Sequence, residues 1–516
     1  MTQRMSSAWV WPLAIAAALL AGAYLRISGI GGPSLWEDEL FSADIILNRP
    51  VLPHDGAALF ERIPLWETGS SESFWTIKAA DQSPPAYELA GKALLPIFGD
   101  SEAGLRAGSA LASLTFLIWL GWRIWRHRAT APGMVYATAL LMCVSCAMMV
   151  FYAQEVRAYS LGGAFAGVIT VLFLERTLDG WRRARLPAWP EICLFIGAAL
   201  THYNLTALCA LILAAYSVEA LRRRDWYALL RMACVLAAVL SWLFLNYHSL
   251  TATTQGRFGW VSKPSYGQAL ITGLRSLKDG VLGPQLASTM AVTVLVAACL
   301  LLPTWLHRKR PSRQPPVSAF PPESIMTSAL ALAALVSVYF VLATLIMRKS
   351  GIVHVRHYLF LLPAVYLLFG LAIAQIWQRA RWLAWGLLAV AVVSQWPMME
   401  SFRSIHKVNH RLAAAIAMEH LRDGDVVLTD FMLNPAGHRY YLERRANKSL
   451  VLHTYRRPSD ACAAVQGRAR FGFVRHIAFD DLTQALQQAC GQGYRIQKFD
   501  ADGMLFELWE SATPSP

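Results

Sequence analysis

Residues 10–39 read VWPLAIAAALLAGAYLRISGIGGPSLWEDE. An almost uninterrupted apolar run opens the stretch, and three consecutive acids, Glu37, Asp38 and Glu39, close it. A helix crosses the hydrocarbon core of a bilayer in about 20 apolar residues, which is what the run supplies. The segment before it, MTQRMSSAW, is basic, but acids follow the run where a small-residue cleavage site would stand. The stretch therefore reads as a retained first span rather than a signal peptide.

The rest of the chain extends this reading. Of 516 residues 55% are hydrophobic and only 16% charged, and the mean hydropathy is +0.37. That balance excludes an ordinary soluble domain and marks a membrane protein. Further runs of roughly 18 to 22 apolar residues lie near 103–122, 133–153, 157–175, 190–203, 204–221, 229–247, 286–306, 326–347, 357–376 and 382–397. With the first, they make about eleven spans. The loops WRHRATAPG, RTLDGWRRARLPAWP, RRRDW, HRKRPSRQPP and QRARW are short and basic, as cytoplasmic loops are. From a cytoplasmic N-terminus each falls on the inner side, and an odd span count exports the C-terminal segment. The net charge of +14 is largely these loops, so it reports topology rather than nucleic-acid binding.

The outer side differs. Residues 31–102 form a long acidic segment with room for surface-lying helices. The outer loops near 248–285 and 348–358 run against the inside-positive trend. The first carries Arg257, Lys263, Arg275 and Lys278, and the second Arg348, Lys349 and Arg356, an excess that an external anionic ligand would explain. After about residue 398 the texture changes. DGDVVLTDF, RFGFVRHIAF, YRIQKFD and MLFELWE have strand character, and DLTQALQQAC has helical spacing with Asp481 at its start. The expected division is a transmembrane domain, 1–397, and a small exported α/β domain, 398–516. Six of the eight cysteines fall in expected spans as small packing residues. Cys462 and Cys490 are the pair in the exported domain, where an oxidising compartment permits a disulfide. No internal repeat, P-loop, GxGxxG or zinc-type CxxC pair is present.

Five segments in order carry a family likeness: SLWEDELFSA (34–43), QSPPAYELAGKALLPIFG (82–99), FYAQEVRAYSLGGAFA (151–166), LTHYNLTAL (200–208) and VRHYLFLLPAVYLL (355–368). Together they resemble the polyprenyl-phosphate-sugar-dependent glycosyltransferases of the GT-C superfamily. Within it they resemble the branch of protein O-mannosyltransferases and lipid A aminoarabinose transferases. The resemblance implies an α-helical polytopic membrane protein of GT-C fold in the inner (cytoplasmic) membrane, its site facing the periplasm or exterior. It also implies an inverting enzyme that moves a sugar from a polyprenyl-phosphate donor to a hydroxyl of a lipid, polysaccharide or protein of the cell envelope. Family members often carry a His before the tandem proline of the second motif; here that residue is Ser83, so no role for that His carries over.

The implied chemistry gives the acids a purpose. An acceptor hydroxyl must lose its proton as the new bond forms, which calls for a carboxylate, and a departing phosphate calls for cations. The family's Asp-Glu pair corresponds to Asp38, the expected base, and Glu39, which binds the acceptor or orients a neighbour. A solvated acidic loop start is the plain alternative, and suffices for Glu37. Arg157 anchors the lipid phosphate or bridges to Glu155, which on a helix shares a face with Tyr159. His202 and Tyr203 contact sugar or belong to an interfacial aromatic belt. Arg356 stands in an acid-free outer loop just before a span, where topology excludes a cytoplasmic anchor; His357 and Tyr358 follow it as further candidates. Lys78 and Lys92 reach phosphate or are simply solvated. No cofactor is expected: clustered carboxylates suit a divalent cation, but the branch generally needs none. The rival readings are a glycolipid flippase or transporter without chemistry, which would gather ionisable groups at mid-membrane, and a membrane-anchored binding protein.

Overall fold

The computed structural model describes residues 2–48, 74–75, 78, 83–128, 130–180, 185–247, 264–282, 322–350, 353–377, 380–403, 407–430, 440–442, 448–455, 458–477, 481–490 and 493–512. The chain divides into two compact units: Met1–Ser28, Gln82–Ala90 and Arg106–Ser404 form the first, and Gly29–Asp81, Gly91–Leu105 and Ile405–Pro516 the second. The sequence-based division at 397/398 keeps residues 31–102 with the spans; here most of that segment groups with the C-terminal part.

Helices α1 (Thr2–Ile27), α2 (Glu37–Ile46), α3 (Ala86–Phe98), α4 (Glu102–His127), α5 (Ala131–Ser145), α6 (Ala147–Ala153), α7 (Tyr159–Leu178), α8 (Trp189–Ala199), α9 (Tyr203–Arg223) and α10 (Trp226–Leu245) come first. Then follow α11 (Tyr266–Leu282), α12 (Pro322–Ser350), a 3₁₀ turn (Val355–Leu361), α13 (Leu362–Trp377), α14 (Arg381–Val393) and α15 (Trp396–Arg403). Among the described residues seven helices are long and apolar enough to span a membrane, α5 and α6 form a bent pair, and Trp11–Ile27 and Trp189–Ala199 are shorter apolar helices. These coincide with the expected runs, except that 286–306 lies outside the described residues. The chain is a multi-pass membrane protein.

Within the first unit the span Val355–Trp377 is central, with 83% of its apolar window buried, against 22% for Trp226–Leu245. The latter turns Leu230, Leu236, Leu240 and Phe244 outward, as a lipid-facing helix does. Close packing needs small residues: a Cβ on Gly370 would lie 2.6 Å from the Val135 carbonyl, so glycine lets α13 touch the backbone of α5. The 61° bend between α5 and α6 has a local cause. Ser145 Oγ donates back to the carbonyls of Leu141 at 2.9 Å and Met142 at 3.4 Å, competing with the helix ladder. The Ala147 amide donates to Gln395 Oε1 at 3.3 Å, so it is not orphaned in the bilayer. Arg26, fully buried, joins three helices: Nε donates to Ser113 Oγ at 2.6 Å, Nη2 to the Cys143 carbonyl at 2.8 Å and Nη1 to that of Gly22 at 3.2 Å.

The C-terminal part of the second unit is a mixed sheet of β1 (Val426–Asp430), β2 (Val451–Tyr455), β3 (Arg470–His476), β4 (Tyr494–Asp500) and β5 (Met504–Ser511) in the order β2-β1-β3-β5-β4. β1 pairs in parallel with β2 and β3, and β5 antiparallel with β3 and β4. Asp502 and Gly503 join β4 to β5 with φ of 53° and 89°, the sense a two-residue hairpin turn requires. Helices α17 (Pro458–Val465) and α18 (Asp481–Cys490) cover one face, where Val426, Leu428, Phe471, Phe473, Leu486 and Trp509 form a core. A Cys462–Cys490 disulfide joins the two helices, as expected from the sequence. Helix α16 (His410–His420) packs on β5, and the fully buried Glu507 accepts from Arg475, Thr483 and Trp509 at 3.1, 2.7 and 3.2 Å.

Candidate active site

In the second unit the acids head a helix. Glu37, Asp38 and Glu39 occupy the first turn of α2, where free amides and the helix dipole favour negative charge. Glu39 is fully buried: its Oε2 accepts from the Trp36 amide at 3.4 Å, closing the helix start, and lies 3.5 Å from Lys407 Nζ. Glu37 Oε1 lies 3.3 Å from His410 Nε2. Burial raises the Glu37 pKa, but the hydrogen bond and charge of His410 outweigh it and hold the carboxyl below its ordinary 4.5. Asp38 stands between these two held acids, half-buried. Lys78 belongs to this unit and is fully buried, which excludes the solvated lysine. Lys92 bonds to Asn48 Oδ1 and lies over the Phe74 ring.

The first unit gathers the other candidates. The segment after α6 does not continue as a helix: Gln154 to Ala158 form turns and bends, so Glu155 and Tyr159 share no helix face. The break is tied by side chains. Ser109 Oγ donates to the Glu155 carbonyl at 2.5 Å, and Gln154 Nε2 to those of Leu25 at 2.9 Å and Ser28 at 3.0 Å. Tyr159 starts α7 and meets His202, in the turn between α8 and α9, at 5.5 Å between ring centroids, and His357 at 6.3 Å. The two histidine rings are 5.9 Å apart, with Phe360 against His202 at 5.1 Å and Tyr159 at 6.4 Å. The Arg356 guanidinium lies over the Tyr159 ring at 5.7 Å.

Burial, then the charges of Arg157 and Arg356, push His202 down to about 3, so its ring is neutral. Nδ1 accepts the Asn204 amide at 3.1 Å, which puts the proton on Nε2. Both guanidiniums thus act on one neutral ring, and Arg157, Tyr159, His202, Arg356 and His357 form a cationic, aromatic patch beside the ends of the spans. Such a patch has planar donors and no carboxylate among its five side chains, the equipment for an oxyanion.

Two candidates are engaged in packing instead. Tyr358 is buried, stacked on Phe340 at 5.4 Å, its hydroxyl 2.7 Å from Thr344 Oγ1. Successive residues of a 3₁₀ turn point about 120° apart, so Tyr358 and His357 diverge although adjacent. Tyr203 Oη accepts from Trp242 Nε1 at 3.3 Å. Among the outer-loop cations, Arg348 donates to the Pro264 carbonyl at 3.1 Å and lies over Tyr266 at 3.6 Å; Arg257 and Lys263 lie outside the described residues. Sequence reasoning missed Lys407 and His410, because nothing in the sequence links them to acids some 370 positions earlier.

Apolar spans with a small α/β domain and this arrangement of elements make the chain a multi-pass membrane protein of GT-C fold. Crystal structures of ArnT from Cupriavidus metallidurans are similar over the whole length. The apo form is 14% identical with a TM-score of 0.56, covering 99% of this chain and 100% of that one. The form bound to undecaprenyl phosphate is 13% identical with a TM-score of 0.53, covering 99% of each. No family model and no curated protein sequence matches the chain.

Proposed function

We propose that the chain is an inverting membrane glycosyltransferase that takes a sugar from a polyprenyl-phosphate carrier and passes it to an acceptor hydroxyl of a lipid, polysaccharide or protein on the exported side of the inner membrane. The patch of Arg157 and Arg356 on Tyr159, His202 and His357 carries this reading, in a fold shared with an ArnT structure that holds undecaprenyl phosphate. Arginine presents a planar fork to phosphate oxygens, and neutral His202 adds an Nε2–H donor without needing a proton. Held by these groups, the phosphate leaves the anomeric carbon with the bonding electron pair. The acceptor oxygen forms its bond on the opposite face and gives its proton to Asp38. Glu39, fixed at the start of α2, keeps the neighbouring turn in place. The reading invokes no metal. The Cys462–Cys490 disulfide supports an oxidising compartment for the second unit, and so an exported site.

Mass spectrometry of surface glycans and glycolipids from cells with and without the gene, paired with transfer from an undecaprenyl-phosphate-linked sugar by the purified chain, tests the proposal. The expected result is a missing sugar in the deletion strain and release of undecaprenyl phosphate in vitro. Unchanged glycans together with an intact donor would refute it.

A further inference from the structure

The acids of α2 meet one edge of the C-terminal sheet. In the order β2-β1-β3 the three parallel strands place β1 between the two that follow it. The connections therefore reverse direction there, and the switch point lies between the carboxyl ends of β1 and β3. In α/β sheets that edge is where ligands bind. The start of α16 lies beside it: the Asn409 amide donates to the Asp502 carbonyl at 3.3 Å, and Ile477, just past β3, donates to the adjoining Gly503 carbonyl at 3.2 Å.

Beside this edge the residues that lead into α16 meet the chain's own α2. Lys407 Nζ is 3.5 Å from Glu39 Oε2, and His410 Nε2 is 3.3 Å from Glu37 Oε1. The Leu35 amide donates to Tyr441 Oη at 2.8 Å, the Arg411 amide to Ser34 Oγ at 3.4 Å, and Arg411 Nη2 to the Gly32 carbonyl. Glu39, His410 and Leu35 are fully buried, and the Lys407 side chain is 10% exposed. Charges taken this far from water are tolerated only when geometry is fixed. The contacts bracket Asp38 in sequence: Glu37 is held on one side and Glu39 on the other.

We infer that Lys407 and His410 are positioning residues for glycosyl transfer: they clamp the first turn of α2 and so set where the Asp38 carboxylate points. The C-terminal domain thereby serves the reaction by holding a helix at the start of α16. This rests on the proposed transferase reading and on Asp38 as its base.

The test uses the full chain in lipid nanodiscs as wild type, Lys407→Met and Lys407→Arg. Two readouts are taken: hydrogen exchange of the backbone amides of residues 38–42, and the separate kcat and KM for an undecaprenyl-phosphate-linked sugar. Lys407→Met is expected to speed exchange in α2 by about tenfold or more, leaving α7 and α13 unchanged. It should lower kcat by a similar factor without raising the donor KM, and Lys407→Arg should restore both. Unchanged α2 exchange, or a loosened α2 with full turnover, would overturn the inference. If Lys407→Met fails to fold, His410→Leu carries the same readouts. If wild type itself transfers no sugar, the transferase reading fails, and the exchange arm still decides whether Lys407 and His410 hold α2.

Discussion

Arg356→Ala is expected to weaken binding of undecaprenyl phosphate by about 10- to 100-fold. The guanidinium is half-buried, with its Cζ 5.7 Å from the Tyr159 ring centroid, so the ring fixes its plane and partly shields it from water. A hydrogen bond to a charged group under such conditions contributes about 1.5 to 3 kcal/mol, and each 1.4 kcal/mol is about tenfold in affinity. Arg157 remains in the variant, which keeps the loss near the lower part of that range. Arg356→Lys retains the charge but not the planar fork, and should fall between wild type and alanine. The assay is equilibrium binding of undecaprenyl phosphate to the full chain in nanodiscs of uncharged lipid, repeated at two salt concentrations. A dissociation constant within twofold of wild type for Arg356→Ala would refute the assignment of this patch to the carrier phosphate.

Replacing Cys462 and Cys490 by serine should destabilise the sheet domain by roughly 3 to 4 kcal/mol for a loop of 28 residues, read as faster hydrogen exchange in β1 and β3; unchanged exchange would show the bridge to be idle. Glu37 is a stronger acid when folded, because it holds its proton less tightly than a carboxyl at the ordinary 4.5. Its stabilising contribution is therefore complete above that value and disappears as pH falls through the lower folded value. Glu37→Gln should flatten the acid limb of the unit's stability profile below about pH 4.5, and a profile identical to wild type would contradict the pairing with His410. An added Cβ at Gly162 would lie 2.5 Å from the Phe360 ring, so Gly162→Ala should displace the ring that backs Tyr159 and His202. An overpacking cost of about 1 to 3 kcal/mol predicts a lower melting temperature and weaker carrier binding, and wild-type values for both would refute it.

The spans were legible because a bilayer demands long apolar runs whatever surrounds them, and each described expectation coincides with a helix. The bend at Cys146 was not legible, since no proline or glycine marks it; a serine back-bond and a glutamine from position 395 make it. In the C-terminal domain β1, β3, β4, β5 and α18 stood out by their alternation or spacing. β2, VLHTY, and the helices α16 and α17 are too short and mixed to declare themselves without the sheet they complete. In the site, Arg356 could be chosen from charge and position alone, whereas Tyr159 was tied to Glu155 by a helix face that the break after α6 removes. The functions of Glu39 and Glu37 as held groups depend on Lys407 and His410, contacts across a sequence distance that no local pattern encodes. Tyr358 was misleading for the opposite reason: adjacency to His357 says nothing about direction within a 3₁₀ turn.

The most direct test of the account is the separation of chemistry from binding at Asp38. Asp38→Asn keeps size and shape but cannot accept the acceptor's proton. It is expected to lower transfer from an undecaprenyl-phosphate-linked sugar by about 100- to 10,000-fold, with the dissociation constant of undecaprenyl phosphate unchanged. Turnover within a few-fold of wild type would remove Asp38 from the base's role. Loss of carrier binding together with turnover would make the carboxylate a binding group and contradict the central claim.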